Sequence, residues 1–377
     1  MTERPLRVDI LFGQHYPDAR VRRCAQALAG AGYDVRVLAW DREGGSAPPV
    51  SDGRVRVEHA RVATRTGRGL GQLPFLARVV WRHLAAVRSD LPDVLHAVDL
   101  PMLAAALLVR PLASRPRIVY DAFELYSIME WHKYPDWLLR MIERAERGLP
   151  RRADLVLTPG EERRAWFGSR GIGSVVVGNW IDAPAPGVDR TAARHELRVA
   201  PEQFCVLYAG GLEPSRDIGP LLEHARRAPE DLVLVAGRGM QATLVTAAAA
   251  ELPNVRFLGW VADTTPLYAA ADCVYYALRT DHPYAAYAAP NNLYSAVAFG
   301  RPLVHRGQGE IGVVAAQADI GEQFDGDASL DSAIARLRDP ERRASVTESL
   351  AKLRERYSAR RAAEALLAAY AGLIGRR

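Results

Sequence analysis

Apolar and polar positions along this chain repeat one theme: a short buried run, then a stretch of helical period, then another run. Continuous apolar runs, of the kind that form strands covered on both faces, occur at Arg7–Leu11 (RVDIL), Asp34–Ala39 (DVRVLA), Pro92–Val98 (PDVLHAV), Arg117–Tyr120 and Ala153–Thr158 (ADLVLT). Val55–Val62 alternates and predicts a strand with one wet face, and Ser174–Val177 is the last strand of this half. Between them the pattern predicts a helix through Leu28 closed by Gly30 and Gly32, a helix over Pro74–Arg88, one over Tyr134–Gly148 and one beginning at Pro159–Phe167. In Tyr134–Gly148 the expected core face is Trp137, Leu138, Met141 and Ile142.

The second half repeats the alternation. Strands are predicted at Phe204–Tyr208, Leu232–Ala236, Val255–Leu258, Asp272–Tyr276 and Pro302–Val304. Helices are predicted after Asp217, at Leu267–Ala271, Leu293–Phe299, Asp331–Leu337, Pro340–Tyr357 and Arg360–Ile374. Strand–helix alternation of this kind predicts an α/β protein built from Rossmann-like units. The Pro-, Ala- and Gly-rich stretch Asp182–Asp189 makes a linker, which sets domains at 1–182 and 183–357, with a closing helix at 358–377.

Composition narrows the class without naming a function. A chain of 377 residues suggests two cores, and 49% hydrophobic with 25% charged residues is ordinary for a soluble globular protein. Met1–Arg7 is polar, Val8–Phe12 is too short for a signal-peptide core, and no run approaches the ~20 apolar residues that span a bilayer, so a cytoplasmic protein is expected. Cys24, Cys205 and Cys273 are far apart and set mostly among apolar neighbours, which predicts reduced core thiols. The net charge of +5 suits an anionic substrate or membrane face, but the arginines are dispersed and no nucleic-acid-binding motif occurs. Arg78, Arg82, His83 and Arg88 around Trp81 could rest on anionic lipid; the simpler expectation is the solvent face of a helix on a sheet, and peripheral membrane contact is not favoured. Oligomeric state is left open.

The chemistry-bearing residues cluster where predicted strands end, which is where parallel sheets bind ligands. His96, Asp99, Asp121 and Glu124 follow or close two strands of the first half and could take a proton or bind hydroxyls; each carboxylate could equally cap a turn. In the second half Gly210 and Gly211 let a backbone approach a ligand, Arg216 offers a guanidinium matched to phosphate oxygens, and the helix after Asp217 offers its N-terminus. In PNNLYSAVAFGRPLV (Pro290–Val304), Asn291 or Asn292 is expected to cap a helix that Gly300 stops. No G-x-G-x-x-G is present, so no dinucleotide cofactor is expected, and Asp325-Gly326-Asp327, placed before a helix, reads as a loop and cap rather than a metal site.

PNNLYSAVAFGRPLV also resembles the PNKLFEYMAAGKPVI-type segment of retaining GT-B glycosyltransferases of family 4. Further stretches share the likeness: PDARVRR (Asp18, Arg20, Arg23) resembles a cleft loop of one subgroup, with Arg23 read more simply as solvated; HAVDLP (His96–Pro101) resembles HAHDLP; Asp121–Tyr126 resembles the end of YDSHELF. The loop from Gly210 to Asp217 resembles a G-x-L-x-x-x-K-G diphosphate loop with Arg216 at the lysine, Gly237-Arg238-Gly239 a turn under the donor, Gly259-Trp260-Val261 a nucleobase contact, and Gly309-Glu310-Ile311 a "pEi" element near the donor sugar.

The resemblance implies a GT-B fold: two Rossmann-like domains facing across a cleft, with the C-terminal helix crossing back to the first. It implies a retaining, metal-independent hexosyltransferase-like enzyme with a nucleotide-diphosphate sugar as co-substrate, no other cofactor and a small acceptor, by analogy one of secondary metabolism. Arg216, Glu310, Asp121, Glu124 and His96 would be the catalytic candidates, and Gly210, Gly211, Gly237, Trp260, Val261, Asn291, Asn292, Leu293 and Ser295 would hold the donor. The chain also departs from the family. The E-x7-E glutamates fall on Tyr287 and Ser295, two cleft histidines fall on Val98 and Phe123, and the closing glycine of the diphosphate loop is Asp217. A degenerate binding or scaffold protein, or an enzyme with an unusual activated donor, therefore stays open beside the transferase reading.

Overall fold

A computed structural model describes residues 4–43, 50–64, 70–110, 116–129, 134–184 and 188–375. Part of the expected linker and of the basic loop at 67–71 lies outside the described residues. Internal contacts divide the chain into two units, Met1–Gly178 with Ala362–Arg377, and Asn179–Arg361.

The first unit is an eight-stranded sheet. Its strands are β1 (Arg7–Leu11), β2 (Asp34–Asp41), β3 (Val50–Asp52), β4 (Val55–Arg61), β5 (Val94–Val98), β6 (Arg117–Asp121), β7 (Leu155–Thr158) and β8 (Val175–Val176), in the order β3-β4-β2-β1-β5-β6-β7-β8. Every pairing is parallel except β3 with β4, an edge hairpin too short for the apolar pattern to reveal. The helices are α1 (Ala19–Gly30), α2 (Leu73–Ser89), α3 (Asp99–Leu107), α4 (Tyr126–Met129), α5 (Asp136–Gly148) and α6 (Glu161–Gly168). Val8, Ile10, Val35 and Val37 of the sheet pack with Leu28 of α1 and with Leu366, Tyr370 and Leu373 of the C-terminal helix, Ala359–Ile374. The run-of-apolar signal thus marks strands covered on both faces.

Two helical faces differ from expectation. His83 of α2 is buried, with Nε2 3.3 Å from the Phe12 carbonyl oxygen, so it belongs to the core side and not to the basic face around the exposed Trp81. Burial pushes its pKa down to about 4. In α5, Trp137 and Met141 are exposed, and the buried residue is Glu146. Its carboxylate accepts bonds from the Tyr126 and Ser127 amides and the Ser127 hydroxyl, so capping of α4 outranks apolar burial as the reason this helix docks where it does.

The second unit has six parallel strands, β9 (Cys205–Ala209), β10 (Leu232–Ala236), β11 (Val255–Phe257), β12 (Cys273–Tyr276), β13 (Leu303–His305) and β14 (Gly321–Gln323), ordered β11-β10-β9-β12-β13-β14. Its helices are α7 (Arg190–Glu196), α8 (Gly219–Arg227), α9 (Ala242–Glu251), α10 (Thr265–Ala270), α11 (Asn291–Phe299), α12 (Glu310–Ala315), α13 (Asp327–Arg338) and α14 (Pro340–Leu353). Val206, Tyr208, Val233, Val235 and Tyr275 form the core with Leu330 and Ile334 of α13. In both sheets the strand order reverses once, between β1 and β5 and between β9 and β12. Crevices at such switch points, beyond the carboxyl ends of the strands, are where sheets of this kind hold ligands. The three cysteines are free and buried, and no described helix is long and apolar enough to cross a membrane.

Candidate active site

The switch point of the second unit is built mainly from backbone. The chain leaves β9 at Gly210-Gly211 and runs to Asp217 before α8. Its course is fixed on both sides. Gly210 N donates to the Ala236 carbonyl and Leu212 N to the Arg238 carbonyl, both 2.9 Å, while Asp217 N donates to Ala277 and Arg279 N to Ser215. Gln241 Nε2 holds the carbonyls of Glu213 and Arg216 at 2.6 and 2.9 Å. Gly237, at φ +154, packs its bare Cα against the Gly210 carbonyl, where any Cβ would overlap it. The structure therefore gives Gly237 the work of backing the loop from behind.

Arg216 sits at the end of this loop. Its guanidinium donates to the Tyr276 hydroxyl and lies over the rings of Tyr276 and Tyr284, 5.3 and 5.9 Å from their centroids. Asp217, where the family has glycine, pairs with Arg306 at 2.7 Å, which explains how an acidic residue is tolerated beside a phosphate-type loop: its charge is matched by a guanidinium from the β13 side.

Helix α11 differs from expectation at its start. Pro290 is the N-cap and no side chain caps the helix. Asn291 is exposed at the first helical position, and Asn292 is buried, donating from Nδ2 to the Ala209 carbonyl at 2.7 Å. Neither asparagine is the cap; Asn292 instead ties α11 to the end of β9. Leu293 is fully buried beneath it. Ser295 is half-buried, within hydrogen-bonding reach of the Tyr268 hydroxyl, whose pKa burial raises to about 12. Gly300 closes the helix at φ +64.

After β11, the edge strand of this sheet, Trp260 is 63% exposed, with the Arg238 guanidinium 5.8 Å from its ring, and Val261 beside it is half-buried. Glu310 opens α12 and is 4% exposed; its amide donates to the Ala288 carbonyl.

The first unit treats its candidates differently. Asp121 and His96 are buried, and both belong to one cluster. Arg20 forks onto Asp121 (Nε–Oδ2 2.9 Å, Nη2–Oδ1 2.7 Å) and donates from Nη1 to the Val177 carbonyl at 2.6 Å. His96 Nδ1 lies 2.8 Å from the Tyr370 hydroxyl, and its Nε2 3.6 Å from Asp121. Burial alone would raise the Asp121 pKa, but the Arg20 charge and the neighbouring donors overcome it and hold it at about 2. Asp18 caps α1 by accepting from the Arg20 and Val21 amides, and Arg23, expected in solvent, is half-buried with its pKa lowered mainly by burial.

Asp99 is a residue whose environment the sequence did not reveal. It follows β5 at φ +68, a conformation few side chains adopt, and accepts from the Glu124 amide at 2.8 Å. Burial, then the Glu124 charge, pushes its pKa well above the carboxylate range. Glu124 is half-buried and pairs with Arg163 at 3.0 Å.

Residues 17–180 match the family model of the glycosyl transferase 4-like domain, and residues 203–337 match that of glycosyl transferases group 1. Together the two matches cover most of the chain. No curated protein matches it in sequence. Among solved structures it is similar to a sucrose-phosphate synthase from Thermosynechococcus elongatus (TM-score 0.81, 14% identity, covering 99% of this chain and 100% of that one). It is also similar to Anabaena HepE in complex with UDP (TM-score 0.71, 16% identity, 97% and 100%) and to the catalytic domain of starch synthase IV from Arabidopsis thaliana bound to ADP and acarbose (TM-score 0.72, 13% identity, 99% and 100%). The fold is GT-B, and the chain belongs to the glycosyltransferases of the family-4-like type.

Proposed function

We propose that this protein moves a sugar from a nucleoside-diphosphate donor to a small hydroxyl, amine or thiol acceptor with retained configuration and without a metal ion. The observation that carries this reading is the β9–β12 switch point. A diglycine turn, the N-terminal end of α8 and Arg216 held on two tyrosines lie together where a diphosphate would bind. As the glycosidic bond breaks, negative charge builds on the diphosphate, and the Arg216 guanidinium with the backbone amides of the loop would stabilise it. Its stacking on Tyr276 and Tyr284 restricts the guanidinium before the substrate arrives, which lowers the ordering cost on binding. UDP in the HepE structure and ADP in the starch synthase structure favour a nucleotide donor by analogy.

Ser295 would meet the ribose with a neutral hydrogen bond in place of a carboxylate. Trp260, exposed and paired with Arg238, offers a flat face for the base. Asn292 acts through Ala209 and is a positioning residue. In the first unit, Asp121 and His96 are held in a buried cluster with Arg20 and Tyr370, and Glu124, half-buried and paired with Arg163, would be the carboxylate offered to an acceptor. The test is thermal stabilisation by UDP, GDP, ADP, CMP and dTDP. A ligand at ~100 times its Kd stabilises by ~2.7 kcal/mol and moves the midpoint visibly. A shift with one nucleotide supports the reading and names the donor class, whereas flat curves with all five would overturn it and leave the scaffold or unusual-donor alternative.

A further inference from the structure

A second polar site lies in the same unit at the opposite edge of the sheet. The strands are parallel, so their amino-terminal ends face away from the switch-point loops. There, a cavity of about 500 Å³ is lined by Arg190, Asp272, Arg301, Arg343, Thr347 and Arg354, among others. Asp272 directly precedes β12, and Pro302, also in the lining, directly precedes β13.

The charges in this cavity do not balance. Asp272 is shared by Arg190 at 2.6 Å and Arg194 at 3.2 Å, and the other acidic group, Glu348, pairs with Lys352. Arg301, Arg343 and Arg354 form no ion pair among the described residues. They donate to main-chain carbonyls at helix ends: Arg301 to Tyr268 and Ala269 of α10, Arg354 to Val297 of α11, Arg343 to Leu337 and Arg338 of α13. Each helix end offers roughly half a negative charge, so three of them leave about one and a half positive charges over. The Arg354 guanidinium also depends on Gly300: a Cβ there would come within 2.5 Å of Nη2. Crowding is felt at Arg301, whose pKa burial, then Arg190 and Arg354, pull down to about 10.

We propose that this cavity binds the phosphate or diphosphate group of a small molecule, at a site separate from the one assigned to the donor. Guanidinium groups already oriented by main-chain carbonyls, and short of carboxylates, are matched to oxyanions that accept from several donors at once. The cavity is larger than a phosphate alone requires, which leaves room for the rest of a phosphorylated metabolite. The inference does not depend on the donor reading, since none of the lining residues belongs to the switch-point loops.

The test is calorimetric titration of sodium pyrophosphate, and separately inorganic phosphate, into the full chain and three variants. Ala344→Glu places a carboxylate in the cavity from an exposed position and removes no bond. Arg343→Gln/Arg354→Gln removes two guanidiniums, with circular dichroism as the check of fold. Arg216→Ala disables the donor loop. Arg343→Gln/Arg354→Gln should weaken binding roughly ten- to a hundredfold, the range for losing a hydrogen bond to a charged group, and Ala344→Glu should weaken it through repulsion between the added carboxylate and the anion. Arg216→Ala should keep that binding. Wild-type affinity in Ala344→Glu, no binding of either anion at millimolar concentration, or loss of all binding in Arg216→Ala would overturn the proposal. Flat nucleotide curves would defeat the donor reading and leave this one standing.

Discussion

The two switch points of this molecule solve different problems with the same kind of sheet. Beyond β5 and β6 the polar side chains are buried and matched to one another: Arg20 with Asp121, His96 with Tyr370, Asp99 with the Glu124 amide. Beyond β9 and β12 the loop is mostly backbone, and its one strong cation rests on aromatic rings. A buried ion pair with several bonds is costly to break and slow to rearrange, so it suits a frame. A guanidinium resting on the rings of Tyr276 and Tyr284 is restrained by aromatic faces, and such a group suits an arriving anion. The lesson is that polar residues at strand ends are not all candidates for chemistry; the partners they already hold decide.

This contrast can be broken in a definite order. The largest effect is expected for Asp121→Ala, which strands the Arg20 charge in the core and should cost about 3–5 kcal/mol in urea unfolding. If that variant is as stable as wild type and loses only turnover, the frame reading fails. Arg216→Ala should do the reverse, with turnover down roughly a hundred- to a thousandfold and an unchanged unfolding midpoint. Equal loss of stability in both variants would erase the distinction between the two regions.

A third experiment uses acid. His83 and His305 are buried and have pKa values pushed down to about 4 by burial. Unfolded, each binds a proton near the ordinary value of about 6.5. Between those values the unfolded chain holds more protons, so stability falls as pH drops from about 6.5 through 4, by ~3 kcal/mol per residue at most. His83→Gln and His305→Gln should each flatten that slope in pH-dependent denaturation, and an unaltered slope would show that the wild-type residues are charged in the fold. Asp121, at about 2, adds a loss confined to the range below about pH 4. The smallest effect is expected for Asn292→Ala. Losing its bond to Ala209 should cost ~0.5–1.5 kcal/mol and raise the nucleotide Kd several-fold, measured by the same thermal shifts.

The strands β1, β2, β9 and β10 were legible as mainly apolar runs, because burial on both faces selects apolar residues; the buried charged exceptions in β1 and β2, Arg7, Asp9 and Arg36, pair with one another. The three-residue β3 (VSD) and β14 (GEQ) were not, since they are mostly polar, whereas the equally short β11 (VRF) and β13 (LVH) are mostly apolar. Helix α3 was hidden because it starts directly after β5 at the unusual backbone of Asp99. The Gly300 stop was visible, while the asparagine cap was not realised because Pro290 holds that position.

By itself the sequence determined the α/β class, the strands with buried faces, the diglycine loop and the family, because these follow from local apolar period and from short contiguous motifs. Tertiary structure alone decided which charges meet. Arg20 and Asp121 are 101 residues apart, and Arg190 and Arg354 come to one cavity from opposite ends of a unit. No local pattern encodes such pairings: a side chain's partner is set by how the strands are ordered in the sheet, and that order is a property of the whole packed chain.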